Sequence, residues 1–179
     1  MDLNEKTVSS QPIFNGKIVK LRVDTVALPD GRESTREIVE HRGAVAIVVV
    51  NDDKEIFMVR QYRKPVEKIL LEIPAGTLEE NEDPMDCARR ELSEETGLTA
   101  AHWEPILSYY SAPGFSDELL HLYMATGLEP GDTHPDQDEF LELVKLPLTE
   151  AYRQIFDGTI VDGKSIIGIQ YAMKKLKEF

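Results

Sequence analysis

Residues 76–98 read Gly76-Thr77-Leu78-Glu79-Glu80-Asn81-Glu82-Asp83-Pro84-Met85-Asp86-Cys87-Ala88-Arg89-Arg90-Glu91-Leu92-Ser93-Glu94-Glu95-Thr96-Gly97-Leu98. Asp83 followed by Pro84 opens a helix: Asp is a good N-cap, Pro is at home in the first helical position, and Asp86 stands three residues on. Gly97 is the expected stop, so the predicted helix runs from Asp83-Pro84 to about Thr96. At about 100° per residue, Met85, Ala88 and Leu92 form one stripe that should pack on a sheet, and Glu91, Glu94 and Glu95 cluster on a face about 100° round from it. Three carboxylates at i, i+3 and i+4 repel one another. They also sit near the helix C-terminus, where the dipole disfavours negative charge. Divalent cations would give such a helix a stabilising reason, since carboxylate oxygens are the ligands Mg²⁺ prefers. The plain alternative is a solvated face, with Arg90 simply pairing to Glu94.

Outward from this helix the chain reads mostly as strands. Residues 1–12 look loose and polar. Apolar points from Phe14 to Leu28, the turn Pro29-Asp30-Gly31 and a resumed strand over 35–41 suggest a hairpin or small sheet. Such a unit is marginal alone and must pack on something, such as a second subunit. Residues 44–50 and 56–62 form a hairpin of core strands, and 70–73 a short strand closed by Pro74-Ala75-Gly76. Further strands are predicted at 106–111, 118–125 and 142–146, with helices at 149–156 and 166–176. The sum is α+β, or a layered α/β/α with a mixed sheet.

Composition sets the outer bounds. The chain has 179 residues and a net charge of −13, from 33 acidic and 20 basic side chains. That is enough for one domain with a real core. Non-specific binding to nucleic acid or an anionic membrane is disfavoured, because both repel an acidic surface. The single cysteine, Cys87, excludes an internal disulfide framework and a multi-cysteine zinc site. It reads as a half-buried thiol in a reducing cytoplasm. The N-terminus has no apolar core and does not read as a signal peptide. The apolar run 44–50 is far short of the roughly 20 residues a membrane helix needs. A cytoplasmic protein is expected.

Counted whole, the segment 76–98 fits Gly-x5-Glu-x7-Arg-Glu-U-x-Glu-Glu-x-Gly-U, with U bulky and aliphatic, at every position. At average residue usage a chance match is on the order of 10⁻⁷. This is the Nudix box, and the chain resembles Nudix hydrolases over roughly residues 40–179. The resemblance implies an α/β/α sandwich and the hydrolysis of a diphosphate linked to another moiety. It implies Mg²⁺, replaceable by Mn²⁺, held by Glu91, Glu94 and Glu95, with Glu82 as an auxiliary ligand and the carbonyl of Ala75 as a further one. Arg90 would orient the glutamates, and Gly76 and Gly97 would let the loop–helix–loop turn.

The flanks look similar to the ADP-ribose pyrophosphatase, or nucleoside diphosphate sugar hydrolase, subgroup. They are Arg36-Glu37 before Gly43-Ala44-Val45, Arg60-Gln61-Tyr62-Arg63 before Glu72, and Pro113-Gly114, with Pro113 lying 15 residues after Leu98. The resemblance implies a nucleotide-sugar substrate and a homodimer, in which a strand unit (1–41) crosses to the partner of a Nudix domain (42–179). Arg36 and Glu37 would reach the substrate from the partner chain, Arg63 would contact the diphosphate, and Arg60, Pro113 and Gly114 would line the substrate site. The general base is expected at Glu139, in the acidic stretch before a late strand, with Asp138 and Glu72 as rivals. His41, His102, His121 and His134 read as structural or surface residues. Trp103, Tyr109, Tyr110 and Phe115 can stack on a base, but core packing is favoured for them. The alternatives are a dedicated GDP-mannose or other sugar-nucleotide pyrophosphatase, and a non-catalytic ADP-ribose sensor. The sensor would be expected to have lost box glutamates, and all four are present.

Overall fold

The computed structural model describes residues 2–131 and 140–177. Its elements are β1 (Lys6–Asn15), β2 (Lys20–Ala27), β3 (Glu33–Glu40), β4 (Ala44–Val50), β5 (Glu55–Arg63), β6 (Lys68–Glu72), β7 (Ala75–Thr77), α1 (Pro84–Thr96), β8 (Leu98–Tyr110), β9 (Leu119–Pro130), β10 (Leu141–Pro147), α2 (Leu148–Phe156) and α3 (Gly163–Lys177). They form two compact units, Met1–Gly43 with Tyr109–Leu120, and Ala44–Ser108 with His121–Phe179.

The first unit is an antiparallel three-stranded sheet in the order β1-β2-β3. The turn between β2 and β3 is closed by hydrogen bonds between Leu28 and Arg32 and between Gly31 and Leu28, with Gly31 at φ +87°. Residues 6–12, expected to be loose, are strand. The polar run Ser9-Ser10-Gln11 hides this, because a ladder to β2 supplies the order that local sequence does not. Pro12 is tolerated because β1 is an edge strand, and the ladder slips at Pro12/Phe14. Residues 109–120 also belong to this unit. Val39 donates its N–H to the Phe115 carbonyl at 2.8 Å, and the Asp117 carboxylate accepts the His41 N–H at 2.7 Å.

The second unit is a seven-stranded sheet in the order β10-β5-β4-β9-β8, with β6 beside β5 and β7 beside β4. All seven residues of β4 are buried, as an apolar run covered on both faces must be. Val45, Ile47 and Val49 meet Cys87, Ala88 and Leu92 of α1. On the opposite face α3 approaches so closely that a Cβ on Gly168 would lie 2.6 Å from Val48 Cγ2 and 3.1 Å from Ile73 Cδ1. Gly168→Ala is therefore expected to destabilise. Overpacking costs about 1–3 kcal/mol against a helix-propensity gain of about 1 kcal/mol, and a urea titration would show the lowered midpoint.

The helix α1 matches its sequence signals. Asp83 caps it through Met85 N–H, Pro84 opens it, and Gly97 closes it at φ +67°. The strand predicted at 106–111 is much longer, because β8 is the last strand of the order and an edge strand admits Pro105. Pro74-Ala75-Gly76, expected as a closing turn, leads instead into β7, whose Ala75 and Gly76 pair with Ala46 and Val45. Trp103 packs against the core and donates to the Ala100 carbonyl, whereas Tyr110 and Phe115, for which core packing was favoured, are exposed. Cys87 is fully buried, and burial pushes its thiol above the ordinary range, so it is inert.

Candidate active site

Helix α1 and strand β7 lie face to face in the second unit, and the conjunction is tight. A Cβ on Gly76 would sit 1.8 Å from Glu91 Oε1 and 1.9 Å from its Cδ. Gly76 is not among the residues with left-handed φ, whereas Gly97 is. So Gly97 serves the turn, and Gly76, expected to do the same, serves close approach. Glu95 reaches the same strand, where its Oε2 accepts the Ala75 N–H at 3.0 Å.

Arg90 gathers the remaining carboxylates. Its Nε and Nη2 grip Glu82 at 2.9 and 3.0 Å, while Nη1 reaches Glu91 at 2.7 Å and Glu94 at 2.9 Å. The hydrogen bonds from Arg90 hold the Glu82 carboxyl at about 2. The Glu82 contact in turn raises Arg90 above its ordinary value, with Glu91 adding to the effect. One guanidinium thus offsets part of the like-charge repulsion that the sequence loads onto α1.

Among the described residues, no three His, Cys, Asp or Glu side chains close round a common point as a preformed cation cage. The donor chemistry nevertheless fits a divalent cation. Glu82, Glu91, Glu94, Glu95 and the Ala75 carbonyl offer only hard oxygens. The space that a Cβ on Gly76 would need is taken by the Glu91 carboxylate itself, which lies against the strand bearing the Ala75 carbonyl.

A second cluster lies where β5 and β6 meet α3. Arg63 donates to both oxygens of Glu72 at 2.9 and 2.8 Å, and Lys164 donates to Glu72 Oε2. Burial pushes the Glu72 carboxyl up, but Arg63 and Lys164 outweigh it and hold it at about 2. Arg63 is raised, first by its hydrogen bonds to Glu72, with Glu95 and Asp162 adding to the negative field around it. Lys164, Asp162 and Ser165 of this cluster carry no sequence signal. A Lys and a Ser in a first helical turn match no motif.

The other expected site residues fall as follows. Arg60 leaves β5 on the face opposite Arg63, as a three-residue offset on a strand requires. It pairs with Glu142 at 2.8 Å and lines a cavity with Glu150 and Gln154 of α2. Arg36, Glu37, Pro113 and Gly114 belong to the first unit. There Arg36 is paired with Glu5, and the 112–116 turn carries Pro113 and Gly114. Glu139, Asp138 and His134 lie outside the described residues. His41 accepts the Gly43 N–H and His121 bonds Ser108, as structural histidines do.

A NUDIX domain model matches residues 40–166, and a nucleoside diphosphate sugar hydrolase N-terminal domain model matches residues 5–39. This chain belongs to the Nudix hydrolase family. The Nudix chain is 48% identical over 169 residues to methanol dehydrogenase activator of Bacillus methanolicus, covering 93% of this chain and 91% of that protein. It is 43% identical over 175 residues to ADP-ribose pyrophosphatase of Bacillus subtilis (strain 168), covering 97% and 95%. In fold it is similar to the crystal structure of an ADP compounds hydrolase, with a TM-score of 0.88 at 21% identity over 99% of this chain and 97% of that one. The α+β architecture expected from the sequence is thus the Nudix fold. Nudix ADP-ribose pyrophosphatases depend on a divalent metal. No helix among the described residues is long and apolar enough to cross a membrane.

Proposed function

We propose that this Nudix hydrolase cleaves the diphosphate of ADP-ribose, and of other nucleoside diphosphate sugars, to a nucleoside monophosphate and a sugar phosphate in the cytoplasm. The observation that carries the reading is the Gly76–Glu91 approach, which presses the carboxylate face of α1 against the strand that bears the Ala75 carbonyl. Glu91, Glu94, Glu95, Glu82 and that carbonyl would hold Mg²⁺, or Mn²⁺ in its place. When bound, such an ion neutralises diphosphate charge and lowers the pKa of an attacking water.

The chain's own residues do the rest. Arg90 keeps Glu82 ionised and holds Glu82, Glu91 and Glu94 in register through four hydrogen bonds. Arg63 offers a cation to the diphosphate. Water adds at phosphorus, the bridging oxygen departs with one phosphate, and in-line displacement then needs little beyond positioning and charge stabilisation. Glu139 is our choice for the base, with Asp138 its rival. Glu72 is bonded to two cations and held at about 2, which makes it a poor proton acceptor near neutral pH. The test is a panel of ADP-ribose, GDP-mannose and UDP-glucose at one Mg²⁺ concentration. Turnover greatest on ADP-ribose supports the reading. A strong preference for GDP-mannose would make it a dedicated sugar-nucleotide enzyme, and tight ADP-ribose binding without turnover would make it a sensor.

We also propose a homodimer in which the strand unit crosses to the partner and presents Arg36 and Glu37 to its substrate. In support, all ten residues of β1 are exposed, Val8, Ile13 and Phe14 among them. Deleting residues 1–41 is expected to yield a monomer with a raised KM for ADP-ribose. A truncated chain that stays dimeric in light scattering, with KM unchanged, refutes the swap.

The likeness to methanol dehydrogenase activator favours a second reading, in which hydrolysis at this same site serves a dehydrogenase. Stimulation of a methanol dehydrogenase by the wild-type chain, but not by Glu95→Gln, supports it.

A further inference from the structure

Residues 72–75, which lead into β7, are gripped one after another. Arg63 and Lys164 hold the Glu72 carboxylate, and Ser165 Oγ accepts the Ile73 N–H at 2.8 Å. The Pro74 carbonyl accepts the Ile47 N–H at 2.8 Å, and Glu95 accepts the Ala75 N–H. Two of the five gripping residues, Lys164 and Ser165, come from the first turn of α3. Asp162 organises that turn, lying 3.1 Å from Lys164 Nζ and accepting the Ser165 N–H at 3.0 Å.

The charges in this cluster are unequally placed. The Glu72 side chain is 2% exposed and Lys164 12%, while Arg63 stays 39% exposed. A carboxylate so deeply buried needs a cation. Were Arg63 its only partner, the guanidinium would be pinned and its charge spent on Glu72. Lys164 supplies a second, sequestered cation on the same oxygen. Arg63 grips with Nε and Nη2, so the end carrying Nη1 is turned away from the carboxylate.

We propose that Lys164 is a positioning residue for substrate binding: by sharing Glu72 with Arg63 it leaves part of the Arg63 charge uncompensated and its guanidinium oriented for an anionic diphosphate. This rests on the reading of Arg63 as a diphosphate contact. Lys164 itself touches no substrate, and Asp162 and Ser165 aim it.

The test is a kinetic double-mutant cycle with ADP-ribose at saturating Mg²⁺, using Lys164→Met, Arg63→Met, both together, and Lys164→Arg. Lys164→Met is expected to raise KM about tenfold, the worth of one charge-assisted hydrogen bond, with kcat within about threefold of wild type. Lys164→Arg should restore most of the KM. In the Arg63→Met background, Lys164→Met should add nothing further, because its effect passes through Arg63. A wild-type KM in Lys164→Met, or an undiminished further rise on top of Arg63→Met, overturns the proposal. A wild-type KM in Arg63→Met instead removes the diphosphate role of Arg63, and the Lys164 proposal with it. Should Lys164→Met fail to fold in a urea titration, Lys164→Gln keeps a donor to Glu72 without the charge and carries the same expectations.

Discussion

Glu95→Gln is expected to lower ADP-ribose turnover by about 10²- to 10³-fold while leaving the fold intact. The glutamine keeps an oxygen for the Ala75 N–H, which Glu95 accepts at 3.0 Å, so the seam between α1 and β7 survives. What it removes is one negative charge from a helix face that holds Glu91 and Glu94 as well. Removing a like charge at i, i+1 and i, i+4 relieves repulsion, so the urea midpoint should hold or rise slightly. The decisive readout is AMP release at saturating divalent metal beside that midpoint. Wild-type turnover in a folded Glu95→Gln chain would reject the ligand assignment.

Gly76→Ala should be nearly as damaging, for a different reason. The new methyl would lie 1.8 Å from Glu91 Oε1, and Glu91 has little freedom to retreat: it is 9% exposed and bound to Arg90 at 2.7 Å. Moving it away displaces a proposed metal ligand and pulls on Arg90, and with it Glu82 and Glu94. Turnover is expected to fall at least about tenfold, with a higher metal requirement and an overpacking cost of about 1–3 kcal/mol. Gly97→Ala makes the control. Its burden is a left-handed φ of +67°, so it should lose stability without moving the metal requirement. Equal metal requirements in Gly76→Ala and wild type would show that Glu91 is not a ligand.

These two variants mark how far the site was legible in sequence. The glutamates of α1 were, since one helix places them, and so were the caps Asp83 and Gly97. The role of Gly76 was not. Its glycine is required by a side chain on another element, and the turn expected there gave the wrong physical reason. Arg60 and Arg63 looked equivalent in the run 60–63, yet a strand sends them to opposite faces, with Glu142 and Glu72 as their partners. In the fold, β4 was visible because a strand buried on both faces must be apolar throughout. Strand β1 was not, because its order comes from pairing with β2 and its own side chains stay exposed.

By itself the sequence determined the helix, its ends and the carboxylate cluster, because relations at i, i+3 and i+4 follow from helix geometry alone. Only the tertiary structure decided which strand that cluster faces, that the Ala75 N–H meets Glu95 across 20 residues, and that Lys164 shares Glu72 across 92. Contacts at such separations are fixed by how layers pack, and no local period in the chain encodes them.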